Sequence, residues 1–279
     1  MKLIRDRSVV VCWLGVAGLD FTFGGHTLLI DPFFSRPPLR NIFMGRVHPD
    51  LQLIQEKINK ADHILATHAH YDHLLDVPAI AAQTGAPVFG SANVCHLIQV
   101  HQVPSAQSYR LKPFDEIRLP YAYIRVIPAR HPFLPGYLSG NLKNNLKPPL
   151  HLWDYRMDEC FSYLIEYENL KLLVWSSIST ENAQRADVLF LRSVASRSWY
   201  KKMIGIVHPR LVIPTHWDDF FRPFSQPILP FFAPPKLSDP FLRRINLENF
   251  KKRIMQVDPN CKVLIPRIFE HYDLLSELG

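Results

Sequence analysis

Along roughly the first thirty positions, apolar residues alternate with polar ones or run together in segments too short for helices. Val9–Gly15, Leu19–Phe23 and His26–Ile30 read as three strands, the last two joined by a Gly24-Gly25 turn. Asp31-Pro32 ends the third strand. A Pro-rich loop then leads to Asp50, whose side chain can cap a helix running to about Asn59. His63–Thr67 is a short apolar strand. Val77–Gln83 and Ala92–His101 carry helical spacing, with a strand at Pro87–Phe89 between them and another at Ile124–Ala129.

Residues 131–158 show no such pattern and carry Pro132, Pro135, Pro148 and Pro149. Loops of this length inside a compact domain are usually functional. Strands return at Phe161–Tyr167 and Leu170–Trp175 across a Glu168-Asn169 turn, then at Val188–Leu191 and Leu211–Pro214, with a helix at Trp199–Val207. Residues 218–241 are again rich in Pro and Phe; a helix near 246–256 and a strand at 263–266 close the chain. Strands opening each half, with helices alternating later, predict an α/β domain over residues 1–279: two stacked sheets with helices outside.

Composition narrows the functional classes. The chain has 279 residues, 47% of them hydrophobic and 20% charged, which excludes disorder. Four cysteines, with no C-x-x-C, exclude a disulfide scaffold; they read as buried thiols in a reducing, cytoplasmic setting. Eleven Gly against 24 Pro point to long ordered loops. The net charge of +7 favours an anionic small-molecule substrate, but Lys and Arg are scattered and form no stripe, so no nucleic-acid partner is expected. No run is long enough for a transmembrane helix. Lys2, Arg5 and Arg7 before the run Val9–Leu19 imitate a signal peptide, but Gly15 and Gly18 break the run, and an opening strand is the expectation.

The thirteen histidines are more informative, because several cluster. In T-H-A-H-Y-D-H, residues 67–73, His68, His70, Asp72 and His73 follow directly on a strand end. Imidazole and carboxylate are good ligands for divalent metals. A tight loop can turn His68 and His70 toward one ion, and Asp72 and His73 toward a second a few ångströms away, which suits hydrolysis.

This motif resembles the H-x-H-x-D-H signature of the metallo-β-lactamase superfamily. G-G-H-T-L-L-I-D-P-F (24–33), I-P-A-R-H-P (127–132) and I-P-T-H-W-D-D-F (213–220) extend the resemblance over most of the chain. The pattern is most similar to the branch containing ascorbate-6-phosphate lactonase and N-acyl-phosphatidylethanolamine phospholipase D. The resemblance implies a four-layer αββα sandwich with metals at one edge of the sheets. It implies that His68, His70 and His131 hold one ion and Asp72, His73 and His216 a second: one or two Zn2+, or Mn2+ or Fe. It further implies a metal-activated hydroxide attacking a phosphodiester, lactone or related ester or amide, with Asp72 positioning the water as it ligates.

The family's bridging Asp follows a strand of the second half. Here Ser176-Ser177 follows Leu170–Trp175, and Ser177 falls at that position; Glu181 and Asp187 are the nearby acids. A metal-binding protein of the same fold with weak or lost hydrolysis is the alternative that Ser177 raises. Asp31 is a candidate to orient a ligand histidine, and Trp217 to pack over the site. Arg130 and Arg222 are candidates to meet an anionic group. The segments 131–158 and 218–241, with Phe133, Leu134, Tyr137, Phe221, Phe224 and Phe231, are expected to roof an apolar pocket or to form a contact in a homo-oligomer.

Overall fold

The computed structural model describes residues 8–132, 136–233 and 243–279. Two seven-stranded sheets form its centre. The first carries β1 (Val9–Gly15), β2 (Gly18–Phe23), β3 (His26–Ile30), β4 (His63–Leu65), β5 (Val88–Gly90) and β6 (Ser108–Arg110) in sequential order. The second carries β7 (Glu116–Arg118), β8 (Tyr123–Pro128), β9 (Phe161–Tyr167), β10 (Leu170–Trp175), β11 (Val188–Arg192), β12 (Leu211–Thr215) and β13 (Lys262–Val263). The chain then returns to the first sheet, where β14 (His271–Asp273) pairs antiparallel with β1.

Strand periodicity sorts the side chains into layers. In β1, Val9, Val11 and Trp13 join Phe21, Leu28, Phe190 and Ile213 in an apolar core shared by strands of both sheets. The alternate residues Cys12 and Leu14 face outward, into a second core with α2 (Leu51–Lys57), α4 (Val77–Thr84) and α5 (Ala92–Val100). On the far side, Leu173, Leu189 and Val212 pack against α6 (Arg197–Val207) and α7 (Leu247–Val257). Three cores between four layers make the αββα sandwich that the sequence predicts.

The helices form for local reasons. In α6 the buried positions Tyr200, Met203, Ile204 and Val207 recur at helical spacing, and the Ser196 hydroxyl accepts from the Trp199 N–H. The Asp50 carboxylate caps α2 by accepting from the Leu53 N–H, as expected. Burial pushes the Cys12, Cys160 and Cys261 thiols up to about 12, so they pack as inert apolar groups.

Several elements differ from expectation. The strand expected at 263–266 is the two residues Lys262–Val263, and the one at His63–Thr67 ends at Leu65. The short β6, β7 and β14 and the six-residue helix α1 (Leu39–Met44) span too few residues for a hydrophobic period to show in the sequence. Among the described residues no helix is long and apolar enough to cross a membrane.

Candidate metal centre

The loop after β4 carries His68 and His70, and the one-turn helix α3 (Tyr71–Leu74) carries Asp72 and His73. His131 enters three residues after β8 ends, and His216 directly follows β12. All six therefore gather where strands of both sheets end at one edge of the sandwich. They form two groups, His68–His70–His131 and Asp72–His73–His216, and within each group the candidate ligand atoms lie within 4.8 Å of one another. The groups adjoin, since the His68 and His73 ring centroids are 3.9 Å apart.

The residues suit divalent metals on an observation internal to the protein. His68 Nε2 is buried and has no hydrogen-bond partner among the described residues, which is costly for a polar atom unless a ligand meets it. Its other nitrogen, Nδ1, donates to Thr67 Oγ at 2.9 Å, and that hydroxyl donates to Asp31 Oδ2 at 2.6 Å. His73 Nδ1 donates to the same Asp31 oxygen at 2.7 Å. One carboxylate thus sets the tautomer of a histidine in each group, leaving both Nε2 lone pairs for metal. The Thr67 N–H satisfies the second oxygen of Asp31 at 2.7 Å.

Electrostatics favour ligation at His68, His70, His131 and Asp72. Burial, and then neighbouring His73, hold His68 well below its usual pKa; burial and then His70 push His131 down to about 4. Burial also lowers His70. These imidazoles are neutral near pH 7, with lone pairs free. For Asp72 burial opposes charge, yet His73 and His216 outweigh it and hold the carboxyl well below the usual range; His216 Nε2 lies 3.2 Å from it. For His73 burial again opposes charge, and Asp31 with Asp72 outweigh it and raise the pKa.

Both groups open on one cavity of about 390 Å³. Leu138, Leu152 and Tyr155 wall it from the 131–158 segment, and Phe220, Phe221 and Phe231 from the 218–241 segment. Phe224 does not join them: it packs on Phe269, with its ring 4.7 Å from the Arg36 guanidinium. Phe133, Leu134 and the side chain of Tyr137 lie outside the described residues.

Other candidates resolve differently. Trp217 is a core residue, stacked on Trp13 at 4.7 Å. Arg130 is exposed and paired with Glu181 at 3.0 Å, and neither it nor Arg222 is among the residues lining the cavity. Asp187 accepts from the Lys171 N–H, a backbone role away from the centre. The Ser177 hydroxyl accepts from the N–H groups of Arg130 at 2.9 Å and Ser179 at 3.1 Å, while its neighbour Ser176 lines the cavity. Sequence reasoning missed Thr67, which immediately precedes the motif, and Arg192, the charge that ends the apolar run V-L-F-L-R and lines the cavity.

Residues 26–146 match the sequence profile of the Beta-lactamase superfamily domain. A UPF0173 metal-dependent hydrolase of Pyrobaculum islandicum is 33% identical over 212 residues, covering 75% of this chain and 84% of the relative. Another, from Pyrobaculum arsenaticum, is 28% identical over 214 residues, with the same 75% and 84% coverage. Among solved structures, Igni18, a metallo hydrolase from Ignicoccus hospitalis, superposes with a TM-score of 0.64 at 16% identity over 95% of this chain and 97% of its own. An isothiocyanate hydrolase from Delia radicum gut bacteria gives 0.58 at 13% identity over 94% and 98%. At such identities the two structures speak for the fold.

Proposed function

The chain belongs to the UPF0173 metal-dependent hydrolases of the beta-lactamase superfamily, and from that premise we propose that it cleaves an anionic phosphodiester, lactone or related ester or amide at the edge where its two histidine groups meet. The observation that carries this reading is the shared cavity, lined both by six metal-suited side chains and by an aromatic wall. His68, His70 and His131 would hold one ion; Asp72, His73 and His216 would hold the second. A site of imidazoles and one carboxylate accepts zinc, and also manganese or iron. When bound, the metal supplies Lewis-acid activation of water and of the scissile group.

The protein's own part is positioning. Asp31 and Thr67 hold His68 and His73 in one tautomer, so the donor set needs no rearrangement to bind. Asp72, ionised and next to His216, can accept a hydrogen bond from a water O–H and orient that water toward substrate. The aromatic wall excludes bulk water and favours a substrate with an apolar tail over a bare sugar phosphate. The four cysteines are free thiols, which supports work in a reducing, cytoplasmic setting.

The test combines metal analysis with turnover. Wild type should carry metal that His68→Ala with His70→Ala removes from the first group. It should hydrolyse members of a phosphodiester and lactone panel, lose that activity to a chelator, and regain it with zinc, manganese or iron. Elemental analysis finding no more metal in wild type than in the double variant would overturn the reading.

A further inference from the structure

Arg192 occupies a position where strand geometry calls for an apolar side chain. Along β11, Val188 and Phe190 point into the core shared by the two sheets, while Leu189 and Leu191 point outward against the helices. The period of two sets Arg192 on the same face as Val188 and Phe190. In the parallel neighbour β12, Leu211 and Ile213 are core residues, and Thr215 pairs in register with Arg192, one residue before His216. In β10, Leu172 and Val174 continue to Ser176. Val174, Ser176, Arg192 and Thr215 all line the cavity. The cavity is thus the inter-sheet layer continued past the point where the core ends, and Arg192 is the charge at that opening.

A guanidinium on a core-facing register is rare without an anionic partner. Arg192 Nε donates to the Val194 carbonyl at 2.9 Å, which anchors the group and leaves the terminal N–H donors. No carboxylate pairs with it among the described residues. Of the other arginines near this edge, Arg36 pairs with Asp218 and Arg130 with Glu181, and Arg222 does not line the cavity.

We infer that Arg192 is the anion-binding residue of the cavity: its terminal N–H groups take a carboxylate or phosphate of an amphiphilic substrate whose apolar portion lies against the wall of Phe220, Phe221 and Phe231. This rests on the reading of the cavity as the hydrolytic site and deepens it by naming the group that selects the substrate. A planar fork suits both carboxylate and phosphate oxygens.

Binding to the metal-loaded protein tests it, by titration calorimetry with octanoate, octyl phosphate and octanol. Wild type should prefer both anions to octanol. Arg192→Gln should weaken both anions by about tenfold or more, the loss expected for a charged hydrogen bond, and leave octanol unchanged; R192K should lie between. Three results would each overturn the inference: no anion preference in wild type, unchanged anion affinity in R192Q, or anion binding that a chelator abolishes and R192Q spares. Equal loss of anions and octanol in R192Q, with R192K matching wild type, would also overturn it by reducing Arg192 to a packing residue. Failure of the hydrolase reading shows separately, as absence of metal-dependent turnover on the panel, and leaves these affinities standing.

Discussion

The backbone N–H of His216 donates to the carbonyl oxygen of Val16 at 2.7 Å, and both residues hold left-handed backbone, with φ of 53° and 49°. For a β-branched residue such as Val16 this conformation is strained, by about 1–3 kcal/mol, and persists only where the surroundings enforce it. Here they do. The Val16 N–H donates to Asp218 Oδ1 at 2.9 Å, Trp13 Nε1 donates to the Val16 carbonyl at 3.1 Å, and Asp218 pairs with buried Arg36 at 2.7 Å. A turn between β1 and β2 therefore sets the direction of a metal-suited histidine from the other sheet.

Asp218→Asn keeps the Val16 bond and leaves Arg36 charged without a partner in a buried place. Loss of one member of such a pair costs about 3–5 kcal/mol. Denaturant unfolding should show that loss, and metal analysis should show the Asp72–His73–His216 group emptied before the other. Adding Arg36→Met should regain most of the stability. An unfolding midpoint equal to wild type in D218N would mean that the pair does not support this turn.

Asp31 is the single anchor of two histidines. Asp31→Asn retains a carbonyl oxygen for the Thr67 N–H, but its amide can no longer accept from both His73 Nδ1 and Thr67 Oγ. Metal affinity should fall by about 10–100-fold, the usual effect of losing such an orienting carboxylate. Competition titration with a chromophoric chelator measures it, and an affinity within error of wild type would rule the anchoring role out.

What the sequence made legible follows from distance along the chain. Four site residues fall within 67–73, so their spacing alone suggests metal, and the alternation in β1, β9 and β10 is long and apolar enough to place those strands. His131 and His216 could be named only through resemblance, because a lone histidine after a strand has many uses. The Arg36–Asp218 pair joins positions 182 residues apart, and no local pattern announces it. In the sequence Arg192 is only the polar residue that follows an apolar run; its place in β11, in register with Thr215, fixes which face it takes. The helix Leu39–Met44 spans only six residues, too few for a helical period to stand out in the sequence.

The two serines after β10 respond to a carboxylate in opposite ways. Ser177 Oγ accepts from two N–H groups, which an Asp oxygen can also do, leaving its second oxygen free to add charge where the resemblance to the family puts a bridging Asp. Ser176 Oγ donates to the Phe161 carbonyl, which a carboxylate cannot do. Ser177→Asp should therefore raise bound metal toward two ions per chain, while Ser176→Asp should lower stability by about 1–3 kcal/mol, the penalty of two acceptors facing each other. Elemental analysis and thermal unfolding separate the two; equal metal content in S177D and wild type would show that Ser177 does not limit the second site.

Asp76 makes stability depend on pH in a direction that can be worked out. It is fully buried, and burial raises its pKa from the usual 3.8 to about 6, against hydrogen bonds from Ser35 and Phe34 that favour the charge. Between these two values the folded protein keeps a proton that the unfolded chain has released. The contribution of this group to stability is therefore complete below about pH 4 and lost as pH rises through about 6. Two pKa units correspond to about 3 kcal/mol. Asp76→Asn removes the titration while an amide oxygen still accepts from the Phe34 and Ser35 N–H groups. The stability of D76N relative to wild type should consequently grow by about 3 kcal/mol from pH 4 to pH 7, read as a widening gap between their urea unfolding midpoints. Taking the difference between the two proteins cancels other titrating groups, including the histidines of the centre. A gap that stays constant over this range would show that Asp76 is ionised in the folded protein throughout, with its two backbone N–H donors outweighing burial.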